Sequence, residues 1–196
     1  MGVGDDMPPP LFALKEDALT SKERQLYDLL GREYNPDLAR DVLLPLIQQT
    51  GPVSLRVLDW AVVNWAKTHK VMATSTSGRP TNVYQSYRTT LGYWRRRLFD
   101  PFRRRRRIGL HLDGVLYETT LGQANYILWL YRTGTLAYVL GHAEEIESHM
   151  NSVTQAQRRE RRHARANGVA CKRTSLTPDG GSTCVALQTS TLFRLE

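Results

Sequence analysis

Between residues 20 and 98, apolar side chains recur mainly at steps of three and four, which is the period of an amphipathic helix. Four segments carry this pattern, and each opens at a residue that can cap a helix. The predicted helices begin at Thr20, Asn35, Ser54 and Asn82 and extend to about Gly31, Ile47, His69 and Leu98. With Glu23 three residues after Thr20, the first start has the form of a capping box. Pro45 should kink or shorten the second helix, because proline lacks the amide hydrogen that a helix interior needs.

The fourth helix carries an aromatic and apolar stripe, with arginines placed away from it. The stripe consists of Tyr84, Tyr87, Leu91, Trp94 and Leu98. Because the stripe has no other way to be buried, we expect its aromatic rings in the core; stacking on single-stranded bases is the alternative. Phe99-Asp100-Pro101-Phe102 should end the helix, since Pro101 disfavours helical geometry at the residue before it. Residues 71–81, which precede the helix, are rich in turn-forming residues, and we predict a loop there.

Residues 107–119 carry the clearest β pattern of the chain. Apolar residues alternate from Ile108 to Leu112, and Asp113-Gly114 supplies a turn that tolerates positive φ. This spacing predicts a β-hairpin.

After the hairpin, the spacing returns to a helical period. Thr120 with Gln123 has the form of a second capping box, opening an apolar helix that ends near Gly134, and a last helix runs from Thr135 to Met150. The predicted fold is therefore mainly α: a compact multi-helix domain of about six helices with one hairpin and disordered ends. The predicted divisions are a disordered lead-in over 1–18, a helical domain over 19–151 and a basic, low-order tail over 152–196. Within this tail, residues 155–165 form a basic segment that is compatible with a helical extension.

The charge of the chain is placed unevenly. The formal net charge is +8, but residues 1–78 contain eight basic and ten acidic side chains, whereas residues 79–108 contain ten arginines and only Asp100 as an acidic residue. A polyanion such as nucleic acid should be attracted to this segment. The candidate nucleic-acid-binding residues are Arg79, Arg88, Arg95, Arg96, Arg97, Arg103, Arg104, Arg105, Arg106 and Arg107.

The run from Arg103 to Arg107 has three interpretations: a phosphate clamp beside the hairpin, a nuclear localisation signal, or a solvated charged turn. Arginine outnumbers lysine 22 to 5, which suits bidentate capture of phosphate oxygens, although a GC-rich genome would raise the arginine content without any binding role. Helix, loop, arginine-bearing helix and hairpin also follow the element order of a winged helix. No base-reading side chains are identified, so we expect nonspecific backbone binding rather than sequence recognition.

The sequence offers little support for catalysis, a cofactor or a metal. His142, Glu145 and His149 share a helix face, but the neighbouring glutamates are explained more simply as an acidic solvent face. Asp59 and Asp100 form a candidate carboxylate pair, yet Asp100 before proline is better explained as a turn residue. We therefore expect no enzyme, no cofactor and no metal.

The two cysteines lie far apart without metal-ligand spacing, which favours a reducing compartment. The apolar stretches are too short and interrupted to span a bilayer, so we expect a soluble protein without a membrane partner.

Several groups of residues together resemble a known family. They are Ser54-Leu55-Arg56-Val57-Leu58-Asp59-Trp60 with Asn64 and Lys67, Asn82-Val83-Tyr84 with Tyr87 and Leu91, Phe99-Asp100-Pro101-Phe102 with Arg104, Arg107 and Ile108, Thr119-Thr120-x-Gly122-Gln123-x-Asn125, and Glu144 with Ile146, Met150 and Asn151. Over roughly residues 20–151 the chain resembles an uncharacterised protein family of nucleocytoplasmic large DNA viruses, the relatives of mimivirus, marseillevirus and phycodnavirus. The uninterrupted Arg103–Arg107 run departs from the mixed polar stretch expected there.

The resemblance implies a viral protein of the host cytoplasm, in the viral factory, or of the virion, with the nucleus as an alternative. The family supplies no established biochemical activity that could be transferred to this chain. Together with the arginine block, it leads us to expect a protein that binds the backbone of DNA or RNA in genome packaging, condensation or viral transcription. Viral proteins are further candidate partners, because the alternative is a virion or factory scaffold that binds an acidic protein. The oligomeric state is left open.

Overall fold

The computed structural model describes residues 10–14 and 19–166. The chain divides into two units, Met1–Ala143 and Glu144–Glu196. The described part of the chain contains seven continuous helices: α1 Ser21–Glu33, α2 over 36–48, α3 over 55–69, α4 Val83–Leu98, α5 Leu121–Arg132, α6 Thr135–Gly141 and α7 Ala143–Ala166. The mainly α fold is therefore confirmed.

Both α2 and α3 change from α to π geometry in their middle. α2 consists of Pro36–Leu38, the π-helical Ala39–Leu43 and Leu44–Gln48, and α3 of Leu55–Trp60, the π-helical Ala61–Trp65 and Ala66–His69. In α2, the amide of Leu44 donates to the carbonyl oxygen of Ala39, five residues earlier. Pro45, which has no amide hydrogen, follows directly. The distortion expected at Pro45 thus takes the form of a π segment, and the helix continues to Gln48.

Within the residues that the structure describes, five strands form two antiparallel sheets. The strands are β1 Phe12–Leu14, β2 Met72–Thr74, β3 Pro80–Asn82, β4 Arg107–Leu112 and β5 Val115–Thr120. One sheet has the order β1-β4-β5, and β2 pairs with β3 in the other. The predicted hairpin is confirmed as β4 and β5, which are joined by Asp113 and Gly114 with φ values of 53° and 76°.

Two strand assignments differ from the sequence-based prediction. The disordered lead-in predicted for residues 1–18 does not hold for Phe12–Leu14, which pair with β4; residues 1–9 and 15–18 lie outside the described part. Phe12 is only 2% exposed and packs edge-on against Tyr34. The predicted loop over 71–81 contains β2 and β3. Strands of three residues are too short to show an alternating pattern, which is why the sequence does not reveal them.

The described part of the predicted tail is the segment for which the sequence is compatible with a helical extension. α7 extends to Ala166, so residues 152–166 are helical, and residues 167–196 lie outside the described part. This segment is rich in alanine, glutamine and arginine, which favour helix even without an apolar period.

The centre of the first unit is α5. Every residue from Leu121 to Leu130 is buried, and the helix packs against α1, α2, α4, α6 and β5. Its N-terminal end therefore lies where α4 ends and the hairpin begins. None of the described helices combines the length and the apolarity needed to span a bilayer.

Candidate nucleic-acid interface

The turn over residues 99–102 connects α4 to β4 and is fastened to the first turns of α5. Three hydrogen bonds make the connection: Asn125 Nδ2 to the carbonyl oxygen of Leu98 at 2.7 Å, Gln123 Nε2 to that of Pro101 at 3.0 Å, and the Asp100 amide to that of Gly122 at 3.3 Å. The Thr120 side chain caps α5 as predicted. The Gln123 side chain, however, binds Pro101 and Thr119 and does not complete a capping box. Two groups of the family resemblance, residues 99–102 and 119–125, are thus in direct contact.

Close packing and buried rings hold this turn in place. A Cβ atom at Gly122 would lie 3.4 Å from backbone atoms of Arg97, Leu98 and Phe99, so glycine allows the two segments to approach closely. Phe99 is 2% exposed, and its ring centroid lies 5.2 to 6.0 Å from those of Tyr126, Trp129 and Tyr87. Asp100 Oδ1 accepts a hydrogen bond from the Phe102 amide at 2.9 Å, which confirms its turn role.

Eight arginines flank the fastened turn. This arginine cluster consists of Arg95, Arg96, Arg97, Arg103, Arg104, Arg105, Arg106 and Arg107. All are exposed except Arg106, whose side chain is 21% exposed. Of the other two candidates, Arg88 lies two helical turns before the cluster in α4, and Arg79 lies in the β2–β3 turn, before α4 begins. Shared carboxylates bring Arg97 close to Arg106 and Arg103 close to Arg107, and Arg96 and Arg104 both act on Asp59. Arg95 and Arg105 adjoin these residues in the sequence.

Three carboxylates pair with five members of the cluster. Glu23 Oε1 lies 3.0 Å from Arg97 Nη2 and 3.9 Å from Arg106 Nε. Glu118 pairs with Arg107 and, at 4.0 Å, with Arg103, and Asp100 lies 3.6 Å from Arg104 Nε. Counted over the described residues and these ion pairs, the eight guanidinium groups of the cluster have three partner carboxylates, so positive charges exceed negative ones by five. Among the described residues, no side-chain ion pair is found for Arg95, Arg96 or Arg105.

Glu23 is the buried anchor of the cluster. Its side chain is 1% exposed and completes the predicted capping box of α1 with Thr20. Burial alone would raise the pKa of Glu23, but hydrogen bonds from the Thr20 backbone and side chain and from Arg97, with the charge of Arg97, outweigh it and lower the pKa. A carboxylate held ionised at the start of α1 thus positions two of the guanidinium groups.

Asp59 in α3 interacts with the same region. Burial is the main reason why the pKa of Asp59 is raised from 3.8 to about 6, and the charge of Asp100 adds to this effect, whereas Arg104 and Arg96 oppose it. The two aspartates that form the candidate carboxylate pair are thus near enough to influence each other. Counting Asp59 when ionised, the cluster still has four positive charges in excess.

Arg95 has a backbone conformation that L-residues rarely adopt. Its φ of 61° and ψ of 165° lie in a region populated essentially by glycine, within an otherwise helical segment. The chain changes direction there, so that Arg96 and Arg97 continue from a kink rather than from a straight helix. Such strain persists only where surrounding contacts enforce it, and it is concentrated at functional sites.

The aromatic residues of α4 divide between core and surface. Tyr87 and Trp94 are each 8% exposed, as predicted, and Tyr84 is half-buried with Lys67 Nζ 5.9 Å from its ring centroid. Tyr93 is 51% exposed. The apolar period does not single out Tyr93, but its position next to Trp94 is a usable signal, because successive helix residues are about 100° apart around the axis and a narrow buried stripe takes only one of them.

Metal ligands do not gather in the described part of the chain. No group of three or more histidine, cysteine, aspartate or glutamate side chains among those residues could hold an ion. His142, Glu145 and His149 therefore do not form such a group.

Comparison with known proteins places the chain among uncharacterised viral relatives. A model described as a family of unknown function (DUF7197) matches residues 12–183. The chain is also similar to "Uncharacterized protein L507" of Acanthamoeba polyphaga mimivirus, with 22% identity over 176 residues, which are 85% of this chain and 68% of the relative. No solved structure matches the chain significantly. The expected resemblance to an uncharacterised family of large DNA viruses is confirmed, and the chain belongs to the family of unknown function DUF7197.

Proposed function

We propose that this protein binds nucleic acid through the phosphate backbone, with the arginine cluster as the contact surface. The observation that carries the proposal is the excess of positive charge on both sides of a turn that is fastened to the buried helix α5. In a large DNA virus, such binding would serve genome packaging or condensation, or virus-encoded transcription.

The chemistry of the cluster suits phosphate oxygens. Guanidinium groups donate paired hydrogen bonds in a fixed planar geometry that matches phosphate. Ion pairs with Glu23, Glu118 and Asp100 restrain several of these groups before a ligand arrives, which reduces the entropy lost on binding. Arg95, Arg96 and Arg105, which have no side-chain ion pair within the described ranges 10–14 and 19–166, supply further charge. Contacts of this kind set affinity and position rather than base specificity.

The test is binding of labelled single-stranded and double-stranded DNA and RNA by the full chain, followed by fluorescence anisotropy over about 0.05 to 0.2 M salt. For duplex DNA, the excess of four to five charges predicts a slope of log K against log salt of about −4. The triple variant R95Q/R96Q/R105Q should bind roughly tenfold or more weakly at low salt, and its slope should be shallower by about three.

A matched variant separates the cluster from net charge. R32Q/K67Q/K70Q removes the same charge from exposed positions near the C-terminal ends of α1 and α3 and should bind within about twofold of the parent at equal salt. Equal losses in the two variants, or a parent that binds no nucleic acid at low salt, would refute the proposal.

The scaffold alternative is supported by the carboxylates that already pair with the cluster, which come from α1, the turn over residues 99–102 and β5. Poly-glutamate serves as the probe in a competition experiment. Binding of poly-glutamate in preference to nucleic acid at equal charge would favour a protein that recognises an acidic partner.

A further inference from the structure

Tyr93 presents an aromatic ring beside the arginine cluster. The side chain is 51% exposed, whereas its neighbour Trp94 is 8% exposed. Large aromatic side chains contribute most to stability when buried, so a half-exposed ring adds little to the core. Tyr93 lies two residues before Arg95, next to the buried Trp94, and is therefore the exposed ring of this pair beside the cluster.

The ring is held in a defined orientation by contacts with α1 and α4. Gln25 Nε2 donates to the Tyr93 hydroxyl oxygen at 3.1 Å, and Lys22 Nζ lies 4.5 Å from the ring centroid. Lys22 also donates to the carbonyl oxygen of Tyr93. Trp94 meets the ring edge to face with centroids 4.7 Å apart. A ring restrained in this way loses little conformational entropy when a ligand stacks on it.

The same turn of α1 connects the ring to the cluster. Lys22 and Gln25 flank Glu23, which pairs with Arg97 and Arg106. The ring and the paired guanidinium groups are therefore anchored to one short segment. Proteins that bind single strands without sequence preference combine these two elements, a cationic surface for the backbone and aromatic rings for the bases.

From this juxtaposition we infer that Tyr93 stacks on a nucleotide base and that the cluster prefers single-stranded nucleic acid. The inference rests on the proposed function and names its substrate class. Bases inside a duplex are covered by their neighbours, so an exposed ring contributes only where a base is unstacked. Phosphate contacts alone would hold single and double strands without this distinction.

The experiment compares Tyr93→Leu and Tyr93→Phe with the parent, as full chains. The probes are a labelled deoxythymidine oligonucleotide of about ten residues, the same length with abasic sites in place of bases, and a duplex of equal phosphate number. Y93L should weaken binding of the oligonucleotide by about 5- to 100-fold, while Y93F stays within about twofold, because phenylalanine keeps the ring. The salt slope should not change in either variant, since no charge is removed.

The abasic probe tests the inference without any variant. The parent should bind the abasic probe more weakly than the intact oligonucleotide, by the same factor by which Y93L weakens binding of the intact oligonucleotide. Y93L itself should bind the two probes equally. Equal binding of the two probes by the parent, or an equal loss of duplex binding in Y93L, would overturn the stacking role. If binding by the parent depends on the arginine cluster while the ring has no effect, the proposed function stands and this inference fails; a parent that binds no probe overturns both.

Discussion

Arg95 adopts a backbone conformation that is unfavourable for a residue with a side chain. A conformation with φ of 61° and ψ of 165° costs about 1 to 3 kcal/mol for a residue with a side chain. On either side of Arg95, Trp94 and Leu98 are buried and Arg97 pairs with Glu23, and these contacts restrain the path of the chain. The strain therefore lies at the edge of the surface that we propose for phosphate binding.

Replacement by glycine tests this strain. Arg95→Gly should raise the free energy of unfolding by about 1 kcal/mol, because the relief of strain exceeds the entropic cost of glycine. Arg96→Gly removes the same charge at a residue without positive φ and should lower the free energy by about 1 kcal/mol. Urea denaturation followed by circular dichroism measures both. Equal effects of the two substitutions would show that Arg95 is unstrained.

The buried carboxylate of Glu23 should contribute to stability. Glu23→Gln should destabilise the protein by about 1 to 3 kcal/mol at neutral pH, because a buried amide cannot accept from both Thr20 and Arg97 with its two polar atoms. Since the folded-state pKa of Glu23 lies below its usual value of 4.5, the contribution of the carboxylate is present above that value and disappears as the pH falls through the folded pKa. The difference in the free energy of unfolding between the parent and Glu23→Gln should therefore become smaller in acid.

The control for this prediction is Glu33→Gln in the same helix. Glu33 pairs with Arg132 at 2.9 Å, but both side chains are well exposed, so the loss should stay below about 1 kcal/mol. Denaturant titrations at several pH values compare the two variants. A Glu23→Gln variant that is no less stable than Glu33→Gln would contradict the role of Glu23 as a buried anchor.

Among the elements, α5 and α6 meet β2 at a contact that requires glycine. Gly134, between the two helices, has a φ of 70°, and a Cβ atom there would lie 1.9 Å from the carbonyl oxygen of Thr74. The Thr76 amide donates to the carbonyl oxygen of Arg132 at 3.0 Å nearby. The small β2–β3 sheet is thus held directly against the helix connection.

Gly134→Ala should lower the free energy of unfolding by more than about 2 kcal/mol, since both the positive φ and the backbone clash oppose a side chain. Gly31→Ala provides the opposite case. Gly31 lies inside α1 with no atom within 4 Å of an added Cβ, so alanine should stabilise the helix by about 0.5 to 1 kcal/mol. Thermal and urea unfolding measure the stability of both variants. If both substitutions change the free energy of unfolding in the same direction, the prediction is wrong.

At the scale of the whole molecule, local signals made the helices and the β4–β5 hairpin predictable. Caps such as Asn35, Ser54 and Asn82 act within three residues of themselves, and the structure confirms each of them. Features that depend on distant partners were not predictable. Glu23 and Arg97 are 74 positions apart, and no pattern in the sequence connects them. The arginine block was evident from composition, but its division between paired and unpaired side chains required the fold.

The sheet order β1-β4-β5 has a consequence for synthesis. Phe12 pairs with Leu110, nearly one hundred positions later, so the first strand leaves the ribosome long before its partner exists. At about 5 to 20 residues per second, translation imposes a wait on the order of 5 to 20 seconds. The hairpin can close as soon as it emerges, whereas docking of the earliest strand must be a late event that completes the sheet edge.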